Sequence, residues 1–191
     1  MKRFFITIVI IITACACSIL ETREPENPEG SRGTFVPPTT PDIVMQNLIE
    51  AFNNKNGNNY SECFSKTKFK FYPTSNVMAK YQSIFQNWDY QNEQKYMKAT
   101  IANMQNESNP QLIFDKQKFD FISTDSAVFN AEYMIRCDFQ MQNIENIYEG
   151  QMIITISAEN NGLWAITKWQ DFEKKDSQYK TWSQLKANFY N

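Results

Sequence analysis

The chain has 191 residues, 42% apolar and 15% aromatic, enough for one sizeable core. Its 19 basic and 21 acidic residues leave a formal net charge of −2, which gives no electrostatic footprint for nucleic acid. There is no histidine, so the commonest general base, metal ligand and pH switch is excluded at once.

Lys2 and Arg3 precede an apolar run from Phe4 to Ala14, the layout of an export signal. Ile12-Thr13-Ala14-Cys15 resembles the lipobox of bacterial lipoproteins, in which the cysteine is acylated and becomes the new N-terminus. The expected division is a signal peptide over 1–14, a lipid-anchored tether over 15–40 and a globular domain over 41–191. Two other readings stand beside it: ordinary secretion, and an uncleaved anchor from Phe4 to Leu20, at the short end of the roughly 17–25 residues that span a bilayer. Ala16 follows Cys15 in place of the aspartate associated with inner-membrane retention, so the outer membrane is the expected leaflet. Glu21 to Thr40 is proline-rich with almost no apolar residue, a composition that cannot offset its own ordering entropy.

The domain opens with a helix capped by Thr40, with Pro41 at its first position and Val44, Leu48, Ala51 and Phe52 on one stripe. Gly57 is expected to break it, and Asn59 with Glu62 to start a short second helix. Thr67 to Tyr72 reads as a strand with Phe69 and Phe71 on one face. A third helix is expected over Asn76–Asn87, and a fourth over Tyr90–Asn103, capped by Asp89. From Leu112 to Ile122 the apolar parity switches, which predicts a bulge near Lys116-Gln117.

The strongest pattern follows. Every second residue from Ala127 to Met141 is apolar, and Tyr148 to Ala158 repeats the period of two that marks a half-buried strand. Matching the oily faces fixes the turns. A three-residue loop, Asn160-Asn161-Gly162, pairs Ala158 with Trp164 and Ile156 with Ile166, and the loop before Tyr148 must contain an even number of residues. Thr181 and Gln184 form a capping-box pattern before a final helix striped by Trp182, Leu185 and Phe189.

The fold class is therefore α+β: a curved antiparallel sheet wrapped around N-terminal helices. This element order, the Phe-x-Phe strand and the Trp164-x-Ile166-x-x-Trp169-x-Asp171 ending resemble the NTF2-like superfamily, over about Thr40 to Phe172. The resemblance implies a cone with one open end. Its members include small isomerases and dehydratases, assembly modules and envelope lipoproteins of no assigned activity, and this chain looks most like the last.

The resemblance also implies that chemistry or binding would use the cone mouth. Tyr72, Tyr133 and Asp171 are the matching residue types, with Tyr148 a further one. Trp164 and Trp169 are stacking candidates, and otherwise core, since Trp164 shares a face with Ile156 and Ile166. An Asp171/Tyr133 pair in an apolar pocket could abstract a proton beside a carbonyl; a tyrosine on a core face is otherwise a large filler, and Asp171 otherwise caps strand-end amides or stays solvated. No catalytic residue is assigned. No metal site is expected, since no Cys or carboxylate cluster has ligand spacing, and no cofactor is expected, since there is no phosphate-cradling glycine loop. Cys63 and Cys137 are read as two buried free thiols, with a disulfide as the alternative. Glu132, Arg136 and Asp138 share the outer sheet face and should form an ion-pair lattice. The expected function is a lipid-anchored, non-catalytic envelope domain that binds a small apolar ligand or a protein partner, with a homodimer through the sheet. The alternatives are a small isomerase or lyase, and a structural accessory subunit of an envelope complex.

Overall fold

A computed structural model describes residues 35–190. The leader, Cys15 and most of the tether lie outside the described residues. Among those described, no helix is long and apolar enough to cross a membrane.

Helix α1 (Pro41–Asn53) starts as expected, with Thr40 in extended backbone at the N-cap and Pro41 at the first position. Buried Asn47 on this helix holds the preceding segment: the Val36 N–H donates to its Oδ1 at 3.1 Å, and its Nδ2 donates to the Val36 carbonyl at 2.7 Å. Helix α1 ends differently from the expectation. Lys55 takes the left-handed conformation (φ 54), and the Asn56 N–H reaches back to the Ala51 carbonyl, a Schellman closure made without glycine. Asn56 is thereby placed to cap α2 (Gly57–Glu62), its Oδ1 accepting from the Asn59 N–H at 2.9 Å. Gly57 therefore opens the second helix and does not break the first.

Strand β1 (Lys70–Tyr72) is shorter than expected, with Phe69 and Phe71 buried. The expected third helix is two pieces, α3 (Ser75–Lys80) and α4 (Gln82–Phe85), separated at Tyr81, whose φ of −128° is not helical. Helix α5 (Tyr90–Asn103) has the expected bounds and carries a full capping box between Asp89 and Asn92.

Four antiparallel strands follow: β2 (Gln111–Ile122), β3 (Ser126–Arg136), β4 (Ile147–Ala158) and β5 (Trp164–Phe172). Strand β1 joins them in parallel against β5, so the curved sheet is mixed, in the order β1-β5-β4-β3-β2. The register is the one that matching oily faces requires, with Ala158 opposite Trp164 and Ile156 opposite Ile166, and Gly162 supplies the left-handed position (φ 78). The bulge in β2 lies between Asp115 and Lys118, with Lys116 at φ 49. Strand β3 stops at Arg136, opposite Ile147, which leaves an even-numbered loop. Phe139 beyond it stays buried through a bridge to Met104.

The inner face of β3, from Ala127 through Phe129, Ala131 and Tyr133 to Ile135, is buried throughout. The N-terminal helices cover it, and helix α6 (Trp182–Phe189) packs into the same core with Trp182, Leu185 and Phe189. One glycine is required by this packing. Gly150 faces Tyr133 across the β3–β4 ladder, and a Cβ there would meet the Tyr133 hydroxyl and lie 2.7 Å from the Phe172 carbonyl oxygen. Gly150→Ala should therefore displace the tyrosine and destabilise the domain by about 1–3 kcal/mol, read as a shift in the urea midpoint at constant slope.

Candidate functional site

Of the residue types expected at a cone mouth, the structure brings two together. Tyr133 on β3 donates to Asp171 Oδ1 on β5 at 2.7 Å, and both side chains are buried. Their surroundings come from the start of α6. The other carboxylate oxygen, Oδ2, accepts from the Ser183 backbone N–H at 2.8 Å and from the Ser183 hydroxyl. The tyrosine oxygen in turn accepts from the Trp182 N–H at 2.7 Å. The first N–H groups of a helix have no partner within it, and Thr181 at the N-cap provides no side-chain bond. Asp171 and Tyr133 thus cap the helix from the sheet. Burial pushes the Asp171 carboxyl upward, opposed by the bonds from Ser183 and Tyr133. Burial, then Asp171, pushes the Tyr133 hydroxyl well above its ordinary value.

The second buried cluster escapes a reading by residue type. Lys186 on α6 is 0% exposed and forms an ion pair with Glu93 on α5, which is 1% exposed. Glu93 also accepts from the Tyr60 hydroxyl at 2.7 Å and the Trp88 indole N–H at 2.7 Å, so all three donors converge on one carboxylate. The ammonium lies 4.4 Å from the Trp169 ring centre, 4.5 Å from Tyr96 and 4.6 Å from Phe71, with Trp88 and Trp182 slightly further away. Desolvation brings the lysine down to about 8 against the pull of Glu93. The Trp182 indole N–H donates to the Tyr96 hydroxyl at 2.8 Å, which links the two clusters. A signal for this pair exists in the sequence. Lys186 stands in the stripe of Trp182, Leu185 and Phe189, and Glu93 stands in the stripe of Tyr96, Met97 and Thr100, so opposite charges occupy two faces that are otherwise oily.

The remaining candidates lie apart. Tyr72 is exposed on β1, opposite Gln170 and beneath the Lys168 ammonium. Trp164 is half-buried and lines a surface cleft of about 370 Å³ with Phe35, Phe64 and Leu163. Tyr148 is buried, its hydroxyl accepting from Asn188 at 3.3 Å. Cys63 and Cys137 are both free and buried, and burial pushes the Cys137 thiol up to about 12 and Cys63 higher still. Among the described residues, no group of three Cys, Asp or Glu could hold a metal. The outer sheet face carries a charge lattice centred on the expected Glu132, which pairs with Lys116 and Lys174, and Lys174 also pairs with Glu149. Asp138 accepts from Asn146 instead. Beside the lattice runs a groove of about 560 Å³ lined by Lys118, Asn130, Ile153 and Phe172, among others.

Two outcomes follow from the Lys186–Glu93 pair. Lys186→Met alone leaves a buried carboxylate without its cation and should cost about 3–5 kcal/mol. Lys186→Met with Glu93→Gln should be the more stable of the two variants, because the amide oxygen still accepts from Tyr60 or Trp88; denaturant titration checks the order. The alkaline limb should change as well. Between about pH 8 and 10.5 the unfolded chain holds a proton on Lys186 that the folded chain has lost, so this group's contribution to stability rises with pH. Cys63 and Cys137 act in the opposite direction, because the folded thiols keep protons that the unfolded ones release above about pH 9. The double variant should therefore lose stability more steeply than the wild type from pH 8 to 10.5, measured as unfolding midpoint against pH.

No protein-family model matches the chain, and no curated protein matches it. Solved structures do. A candidate scytalone dehydratase from Novosphingobium aromaticivorans superposes with a TM-score of 0.55 at 11% identity, covering 73% of this chain and 87% of the other. An NTF2-like superfamily protein from Salmonella enterica gives 0.53 at 9% identity, covering 71% and 89%. A candidate calcium/calmodulin-dependent protein kinase II association domain from Xanthomonas campestris gives 0.51 at 11% identity, covering 71% and 86%. Five strands in this order, the helices against their inner face and these superpositions agree: the chain has the NTF2-like fold.

Proposed function

We propose that this protein is a lipid-anchored, non-catalytic module of a bacterial envelope that works by docking protein on its outer sheet face, and that the docked protein is a second copy of itself. The single observation that carries this reading is the position of α6. Trp182, Leu185 and Lys186 of that helix are fully buried against the sheet's inner face, so the chain itself fills the hollow in which a small apolar ligand or a substrate would lie. The Asp171/Tyr133 pair is engaged on both carboxylate oxygens by its own fold. A general base must reach within about 3 Å of the proton it takes, and here Tyr133 and Ser183 hold those positions. This favours docking over the isomerase or lyase alternative.

The outer face supports a partner of matching size. Ile113, Phe121 and Phe172 are 45%, 56% and 39% exposed there, with Ile153 and Val128 between them in the ladder. Strands about 4.8 Å apart, rising about 3.3 Å per residue, give β2 to β5 a face of roughly 700 Å², close to the ~800 Å² per partner of a standard interface. Edge-on pairing is disfavoured, because β2 at the sheet edge carries a bulge and two lysines, Lys116 and Lys118. One structural neighbour being described as an association domain agrees with assembly through this fold.

Light scattering on the full chain in detergent should give the mass of a dimer, and Ile153→Lys, at the centre of the face, should give a monomer with unchanged far-UV circular dichroism. A wild-type monomer at micromolar concentration would sink the docking reading. For the anchor, Cys15→Ser should abolish incorporation of a labelled fatty acid and release the protein from membranes; retention of label on the variant would rule out Cys15 as the lipidation site.

A further inference from the structure

The ammonium of Lys186 is held mostly by parts outside its own helix. Glu93 and Tyr96 come from α5, Phe71 from β1, Trp169 from β5, and Trp88 from the turn before α5. Only Trp182 shares α6 with the lysine. The carboxylate is also fixed without the lysine, since Tyr60 and Trp88 donate to its two oxygens separately, each at 2.7 Å. The result is an acceptor of fixed orientation inside a wall of rings, all within the ~6 Å at which an aromatic face attracts a cation. Such a cage with one carboxylate selects a compact organic cation that carries N–H donors.

We propose that the interior of this fold is a binding site for a primary alkylammonium group, and that Lys186 occupies it in cis as a built-in ligand. Receptor and occupant are then separable. The protein body supplies the charge, the rings and the shape, and α6 supplies a butylammonium arm. The inference is independent of docking on the outer face, because it concerns only the inner one.

The test removes the arm and returns it in pieces. Lys186→Ala deletes three methylenes and the amine, which is the composition of n-propylammonium. The full-length variant is titrated with n-propylammonium chloride, against 1-propanol as the neutral match and sodium chloride as the salt control. The expected result is a saturable rise in the unfolding midpoint with n-propylammonium, half-maximal at a concentration at least tenfold lower than for 1-propanol. Wild-type protein should not respond. In Lys186→Ala with Glu93→Gln the preference for the amine over the alcohol should fall to less than threefold. Equal responses to amine and alcohol would show a plain apolar cavity and overturn the proposal, as would a folded variant that responds to neither. Should the single variant not fold alone, refolding yield in the two additives is the readout: recovery with the amine and not the alcohol supports the site, and any other pattern overturns it. The wild-type protein provides a separate check by NMR. The ε-methylene protons of Lys186 should be shifted upfield by the surrounding rings by at least 0.5 ppm, and an ordinary lysine shift would overturn the cage.

Discussion

A single buried ammonium organises the interior. Taking a lysine and a glutamate out of water costs several kcal/mol per ion, and their attraction recovers that only when the remaining hydrogen-bonding capacity is also met. Glu93 meets the condition by accepting from three residues on three segments: Lys186, Tyr60 and Trp88. The geometry leaves little latitude. Moving α6 by one residue would turn Lys186 away from the carboxylate and bring Ala187 into the cage. The same shift would turn Trp182, Leu185 and Phe189 off the core face, so packing and the ion pair select one register together. Specificity of register is the best-attested use of a buried polar group, and here it fixes the last helix against the first half of the chain.

The same helix shows what residue type alone leaves open. An aspartate and a tyrosine in contact, both buried and both with raised protonation, have the outward marks of an acid–base pair. What separates chemistry from architecture is where the lone pairs go. Both oxygens of Asp171 and the oxygen of Tyr133 bond the first turn of α6 or each other, doing for that helix what Thr181 does not.

Much of the fold was legible because the sheet obeys a rule of period two. The faces of β3 and β4, the bulge at Lys116, the turn at Gly162 and the joining of Ala158 to Trp164 all follow from keeping oily side chains on one side. The helices were less legible where a local turn overrode propensity. Lys55 adopts the left-handed conformation in place of Gly57, and Tyr81 splits a stretch whose apolar spacing is otherwise continuous. β1 reads as a strand, but its parallel direction is not legible, because alternation of Phe69 and Phe71 with lysines gives a face and not a neighbour. The site was the least legible part. Tyr133 is legible by type and parity and Asp171 by its place in the last strand's ending, whereas Glu93 and Lys186 give no signal when each charge is taken alone. Two opposite charges in two oily stripes is a signal that only a pairwise reading collects.

The parallel seating of β1 against β5 has a consequence for how the chain assembles. β2 to β5 are successive hairpins whose partners are near in sequence, so the meander can close quickly. β1 has nothing to pair with until β5 exists, and Glu93 has no cation until a residue 93 positions away arrives. Closing loops of that length carries an entropic penalty before any contact rewards it. Sequence separation thus favours closure of the meander before β1 pairs with β5 and before Lys186 meets Glu93. Until then the inner rings face water, and the interval between sheet closure and ion-pair formation is when the chain is most exposed to aggregation.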